Sequence, residues 1–349
     1  MNKYVKCTII LLLILINSCV IGGKKLPKFN SIPIDDNTVI FTFNSGTGSC
    51  YFFDTVNEKM IGTYEFDMSM TGSGNGVRIT GAYHTINNQV FVEIINGEKI
   101  LIKIDPLTGN VEEIPCSHFI TLLYELDGNL WVGSFSDENM NTPMTMYNLK
   151  TGEYESKYVK YEYFGSYAKK DNTIYIICEK DRKFNTTLYN YSEDYEISLN
   201  SFKDQYEMFY AKFLGNHYFE TRGYINTNKP DEIGVVSLYE IDSYEPFITR
   251  LIDKRVYRTG SYSEVFETDE YIYAFYDGEN RSLIEYKKGT YEITREISLD
   301  IVGDQKINID SFYIYFKNNS FWLLADFIDK DGFGVLKINK DTFEKELIL

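Results

Sequence analysis

Short apolar runs, each entered through a two-residue polar turn, recur from near residue 30 to the end of the chain. The turns are Asp36-Asn37 before VIFTF, Asn87-Asn88 before QVFVEI, Gly128-Asn129 before LWVGSF and Asp171-Asn172 before TIYIIC. Three more follow: Gly215-Asn216 before HYFE, Asp269-Glu270 before YIYAFY and Asn318-Asn319 before SFWLLA. Asn, Asp and Gly tolerate the positive φ of two-residue hairpins, so each pair predicts a turn between antiparallel strands. The run after each turn is apolar at consecutive positions, as in Val90-Phe91-Val92 and Ile174-Tyr175-Ile176-Ile177, which predicts strands covered on both faces. A second apolar strand follows in each unit, for example at residues 100–104 and 335–338. A polar hairpin and a more charged strand complete the unit, as at Val111-Glu112-Glu113-Ile114 and Phe343-Glu344-Lys345-Glu346-Leu347. The second residues of successive turn pairs lie 51, 41, 43, 44, 54 and 49 positions apart, which makes seven units.

Seven units of four strands, graded from apolar to charged, predict an all-β chain. The architecture expected for residues 31–349 is a seven-bladed β-propeller of four-stranded antiparallel blades. Solenoid repeats are usually shorter or helical. The second hairpin of the unit is most regular in Asp105-Pro106-Leu107-Thr108-Gly109 and Asn148-Leu149-Lys150-Thr151-Gly152. There Asp or Asn can close an Asx-turn and Gly accepts a left-handed conformation. These turns resemble the D-x-x-T-G turn of quinoprotein-like (PQQ/YVTN-type) bacterial propeller repeats. Residues 54–58, Lys288-Gly289 and residues 339–343 are degenerate versions. The resemblance covers turns rather than whole blades and implies the fold. Nothing resembling a quinone site accompanies it, so no cofactor is expected.

The N-terminus departs from the repeat. Lys3 and Lys6 precede an apolar stretch at residues 9–16, too short to span a membrane, and Ile16-Asn17-Ser18-Cys19 resembles a bacterial lipobox. Residues 1–18 therefore read as a lipoprotein signal peptide. Cys19 is the expected lipidation site, and residues 19–30 form its tether. This places the protein in the bacterial cell envelope, anchored to a membrane at its periplasmic face or at the cell surface. The chain carries a formal charge of −16, and loss of the two signal lysines takes it to −18. Such acidity argues against nucleic acid, or an anionic membrane surface, as a partner. Cys50, Cys116 and Cys178 remain after processing, with buried thiols as the default.

Candidate chemistry is sparse. His84, His118 and His217 are scattered without metal-ligand spacing, and His217 is expected to pack in the core. Asp326, Asp329 and Asp331 are dense but lack the EF-hand pattern, so no metal is expected. Trp131 and Trp322 stand at equivalent places just after their turns, which predicts packing between blades. Residues 67–76 and 222–232 read as loops, and residues 249–260 as a basic linker. No catalytic residue is singled out. The expected function is a non-enzymatic binding or scaffolding platform for a protein or glycan partner, similar to the propeller lipoprotein of the outer-membrane assembly machinery. The alternative is a glycan- or peptide-acting hydrolase or lyase with its site at the channel mouth. Loops between blades, and between second and third strands, share one face in propellers. The ligand-binding candidates there are Arg78, Tyr163, Tyr210, Arg222, Arg258 and Tyr262, side chains of the type that concentrates binding energy.

Overall fold

The computed structural model describes residues 39–44, 49–65, 78–84, 90–96, 98–105, 110–115, 120–126, 129–134, 142–148, 151, 153–159, 163–171, 173–179, 186–190, 195–197, 199, 207–225, 233–257, 260–327 and 333–348. The expected signal peptide, lipidation site Cys19 and tether, residues 1–30, lie outside them. The described residues form seven antiparallel sheets in chain order. The first has three strands, β1 (Val39–Asn44), β2 (Ser49–Asp54) and β3 (Lys59–Glu65). The second contains β4 (Arg78–His84), β5 (Val90–Asn96), β6 (Glu98–Asp105) and β7 (Asn110–Pro115). The third contains β8 (Ile120–Leu126), β9 (Asn129–Ser134), β10 (Thr142–Asn148) and β11 (Tyr154–Val159). The fourth is built of β12 (Tyr163–Lys170), β13 (Thr173–Glu179), β14 (Thr186–Asn190) and β15 (Tyr195–Ile197). In the fifth are β16 (Glu207–Leu214), β17 (Tyr218–Ile225), β18 (Ile233–Tyr244) and β19 (Phe247–Tyr257). The sixth holds β20 (Ser261–Glu267), β21 (Tyr271–Asp277), β22 (Ser282–Lys287) and β23 (Ile293–Ser298). The seventh has five strands: β24 (Ile301–Val302), β25 (Gln305–Lys317), β26 (Ser320–Phe327), β27 (Phe333–Asn339) and β28 (Lys345–Ile348). Every sheet pairs neighbours in sequence, an all-β, β-propeller-like architecture.

The turn chemistry explains the hairpins. From the second sheet to the seventh, a turn pair separates the first long strand from the second; Asp36-Asn37 and the residues before it lie outside the described residues. Asp171, Gly215, Asn318 and Asn319 all have positive φ, between 51° and 67°. The second hairpin works even where its motif is degenerate. Asp54 Oδ1 accepts the N–H groups of Val56 at 2.8 Å and Asn57 at 3.1 Å. Asn339 Oδ1 accepts those of Asp341 and Thr342 at 2.9 and 3.0 Å. Glu58 and Phe343 occupy the glycine position of the motif with φ of 52° and 61°. The Asx-turn thus persists without its glycine.

A second regularity has no counterpart in the sequence pattern. The first strand of the second to sixth sheets carries a bulge near its start, between Ile79 and Ala82, Ile120 and Leu122, Phe164 and Ser166, Met208 and Tyr210, and Tyr262 and Glu264. In β25 the irregularity lies between Ile309 and Ile314. A bulge strengthens the local twist and re-aims the side chains beside it.

Adjacent sheets share apolar cores. Leu188, Ile177 and Tyr175 of the fourth pack with Phe213, Phe219 and Tyr244 of the fifth. Tyr218, Val236 and Leu238 of the fifth meet Tyr262, Ile272 and Tyr286 of the sixth. Tyr273 and Phe275 of the sixth meet Phe321 and Leu323 of the seventh. The last sheet also meets the first. Phe53 lies against Trp322 and Val335, with the Phe53 and Trp322 rings 5.7 Å apart. Asn318 Nδ2 donates to Thr55 Oγ1 at 2.8 Å, and Lys337 pairs with Glu58. Trp322 is therefore an inter-sheet packing residue, as its position predicted. The register supports its equivalence with Trp131, since each stands opposite a tyrosine, Tyr315 and Tyr124.

Three expectations are corrected. His217 is not a core residue. It is exposed in the β16–β17 turn, with Nδ1 2.9 Å from Glu267 Oε1. Tyr218, the next residue, takes the buried place. Residues 249–257 are not a linker but most of β19, the outer strand of the fifth sheet. Its arginines are matched locally: Arg250 by Asp242, and Arg255 by Asp253 and Glu296. Arg222 to Ile225 likewise continue β17 instead of opening a loop.

Candidate functional site

The fifth and sixth sheets meet at a corner where charge enters the apolar packing. In β16 and β17 the register sets Tyr210 opposite Arg222 and Lys212 opposite Glu220. In β20 and β21 it sets Ser261 opposite Asp277 and Tyr262 opposite Tyr276. Glu220 is fully buried at the floor. Its carboxylate accepts Arg222 Nε at 2.6 Å and the backbone N–H of Tyr262. A buried carboxylate needs such partners, because removing one from water uncompensated costs several kcal/mol.

Ser261 stands at the centre. Lys212 Nζ donates to its Oγ at 3.0 Å and Arg222 Nη2 at 2.5 Å. The two Glu220 oxygens lie 3.3 and 3.4 Å away, within reach of the hydroxyl proton, and the Tyr262 carbonyl is at 3.1 Å. The Arg222 guanidinium sits over the Tyr210 ring at 4.6 Å. Ser261, Lys212, Tyr210 and Arg222 are all partly exposed, so the corner is open to solvent above its buried floor.

Burial lowers the affinity of the Lys212 amine for its proton. Glu220 opposes that effect and Arg222 reinforces it; the net direction is down. Burial pushes the Glu264 carboxyl up to about 7, against the pull of Lys212. Both groups are thus brought toward neutral-pH proton exchange, the condition in which a side chain serves as acid or base. Behind the corner, Asp253 accepts Tyr286 and Tyr262 hydroxyls at 2.6 and 2.8 Å and Arg255 Nε at 2.8 Å. Burial would raise its pKa, but these donors outweigh burial and hold it below the usual range.

Of the six ligand-binding candidates, the structure brings three together here. Tyr210 and Arg222 form the stacked pair. Tyr262 is fully buried, its ring 5.3 Å from that of Tyr276, and it builds the wall of the corner. Arg78 opens β4 and Tyr163 opens β12, at the equivalent ends of their own sheets; their side chains lie outside the described residues, as does Arg258. Sequence reasoning alone misses Lys212, Glu220, Ser261 and Glu264. A cue exists for two of them: Lys212 is the single charge inside FYAKFL, and Glu220 follows the aromatic pair Tyr218-Phe219 two residues before Arg222 in HYFETRGY.

At the opposite end of the same sheets, Glu267 accepts Tyr218 Oη at 2.8 Å and pairs with Lys288 at 2.7 Å as well as with His217. Burial would raise it, but these donors draw its pKa down to about 2. This cluster is an inter-sheet latch. Glu245 is another, accepting Tyr175 Oη and Asn190 Nδ2 at 2.7 Å each, together with Tyr195 Oη.

No family model matches the chain, and no curated protein matches it. Among solved structures, it is similar to the dihydro-heme d1 dehydrogenase NirN in complex with DHE, at 11% identity and a TM-score of 0.52. That match covers 92% of this chain and 66% of the NirN chain. A computationally designed protein, Ika8, matches 93% of this chain and 86% of its own at 11% identity and a TM-score of 0.47. KlHsv2 with loop 6CD replaced by a Gly-Ser linker matches 89% and 97% at 9% identity and a TM-score of 0.47. NirN is a propeller protein, and at this identity the likeness speaks for the fold alone. Sheets and likeness together make the chain β-propeller-like.

Proposed function

We propose that the chain is a lipid-anchored envelope protein whose seven sheets close as a seven-bladed propeller. In this reading it binds a protein or glycan partner at the sheet end where the first strands begin. Closure is supported by the packing of Phe53 on Trp322 and the Asn318–Thr55 hydrogen bond. The observation that carries the binding role is the partly exposed Arg222–Tyr210 stack beside the Ser261 corner. Arginine and tyrosine offer large contact area with a polar end, and on so acidic a chain they favour an anionic or aromatic-stacking group. The anchor rests on the lipobox-like residues 16–19, and palmitate labelling lost in Cys19→Ala tests it. A photo-crosslinking residue at position 210 should capture a discrete envelope partner, while one at position 288, at the other end, should not. Equal capture from both ends would refute the assignment of the face.

A second reading is favoured by one specific contact. Lys212 Nζ lies 3.0 Å from Ser261 Oγ in a partly exposed corner, an arrangement suited to a hydrolase at the channel mouth. Hydrolysis of a reporter ester or peptide by the purified protein, lost in Ser261→Ala, distinguishes this reading from a purely binding role.

A further inference from the structure

Lys212 and Ser261 come from neighbouring sheets, 49 positions apart in the chain, yet their functional atoms are in hydrogen-bond contact. Serine is a weak nucleophile until a base takes its proton, and a lysine serves as that base only as the neutral amine. We propose that Ser261 is a nucleophile activated by Lys212, and that the corner between β16 and β20 carries out acyl transfer on an ester or amide. The inference rests on the hydrolase reading and narrows it.

The roles follow from the contacts. With Lys212 neutral, Nζ accepts the Ser261 proton as Oγ bonds to the carbonyl carbon of the substrate, giving a tetrahedral adduct. Collapse of that adduct breaks the bond to the alcohol or amine, which leaves with the proton returned by Lys212. Water then attacks the acyl-serine, again giving its proton to Lys212, and releases the acid as Oγ recovers its hydrogen. Atoms and charges balance with water as the only co-reactant. Arg222, bonded to the same oxygen, lowers the cost of negative charge on Oγ and, with burial, disfavours a cation at Lys212, against the opposing effect of the Glu220 carboxylate on both. Glu220 positions both: it holds the guanidinium through Nε, and the Tyr262 N–H ties it to the strand that bears Ser261. A Ser–Lys pair suits carbonyl substrates, whereas glycosidic bonds call for two carboxylates flanking the bond. An O-acyl ester on a glycan, or a peptide bond, is therefore the expected substrate.

A fluorophosphonate reagent tests this on the purified full-length chain, because it reports on the nucleophile whatever the natural substrate. Ser261 Oγ should form a bond to phosphorus with loss of fluoride, detected by mass spectrometry on the peptide that contains Ser261. Ser261→Ala should give no adduct there. Lys212→Arg keeps a cation but removes the base, and labelling should slow by about 100-fold or more, the usual share of a general base. The wild-type rate should rise with pH as Lys212 deprotonates. If Ser261→Ala fails to fold, Lys212→Arg and the wild-type pH profile carry the test. Absence of an adduct on Ser261, or labelling of Lys212→Arg at the wild-type rate, overturns the proposal. Ester turnover that survives Ser261→Ala would sink this nucleophile and leave a hydrolase. Neither adduct nor turnover would sink both.

Discussion

Two residues past the first-strand bulge, β16 carries Lys212 and β20 carries Phe266, and both side chains meet the next sheet. Phe266 enters an aromatic cluster with Phe316 and Phe321 of the seventh sheet, at ring separations of 6.2 and 5.8 Å. Lys212 meets Ser261 of the sixth, above a buried carboxylate. One scaffold thus supports an apolar junction and a charged one. At the aromatic junction an apolar core joins the two sheets, and its charged contacts lie at the outer strands, where Arg295 donates to the Lys340 and Asp341 carbonyls. The junction of the fifth and sixth sheets has an apolar core of its own, so the Lys212 and Glu264 charges beside it are not required for cohesion, and ionic groups taken out of water seldom add to it. That difference marks the corner between the fifth and sixth sheets as the place where charge serves something other than packing.

The largest single loss is expected at the aromatic junction. Phe321 is fully buried and touches Phe266, Tyr273, Phe275 and Phe316. Phe321→Ala should cost about 3–5 kcal/mol, through lost burial and the cavity left behind, measured by urea unfolding. On the charged side, Glu220→Ala leaves Arg222 and the Tyr262 N–H without their acceptor and should cost about 3 kcal/mol. A smaller cost there than for Lys212→Met would reverse the hierarchy of floor and rim.

A pH titration sharpens the contrast further. Glu264 binds its proton more tightly in the folded chain, at about 7 against an ordinary value of 4.5. The folded state then holds the extra proton between those values. Stability contributed by this group is present below about pH 4.5 and is lost as pH rises to about 7. Glu264→Gln should remove that decline, which is worth up to about 3 kcal/mol by linkage. Glu267 has the opposite sign: drawn down to about 2, it contributes stability above about pH 4.5 that is lost as pH falls toward 2. The smallest effect belongs to the exposed His217, where His217→Ala should change stability by less than about 1 kcal/mol.

How much is legible in the sequence follows from where each feature is encoded. Turn chemistry is local, so Asp171, Gly215 and Asn318 announce hairpins, and the Asx-turn survives at Asp54 and Asn339 because the side-chain oxygen, more than the glycine, makes it. The bulges carry no such signature, since Gly165, Phe209 and Ser263 all serve as the extra residue. His217 and the β19 segment defeat a reading by composition, because a polar turn residue and a charged outer strand cannot be placed without a register. The corner itself depends on strands from two sheets. Only the single charge of Lys212 within FYAKFL, and Glu220 directly after two aromatic residues, hint at it, and Ser261 gives no hint at all.

Replacing the charges of Lys212 and Glu264 and reading cohesion tests directly whether they hold the fifth and sixth sheets together. The double variant Lys212→Met with Glu264→Leu keeps volume and leaves the Glu220–Arg222 pair intact. If the charges serve function, its melting temperature at pH 7.5 should stay within about 2 °C of wild type, or rise, since 1 kcal/mol moves a chain of this size by roughly that amount. A fall of about 6 °C or more would show instead that these charges hold the two sheets together.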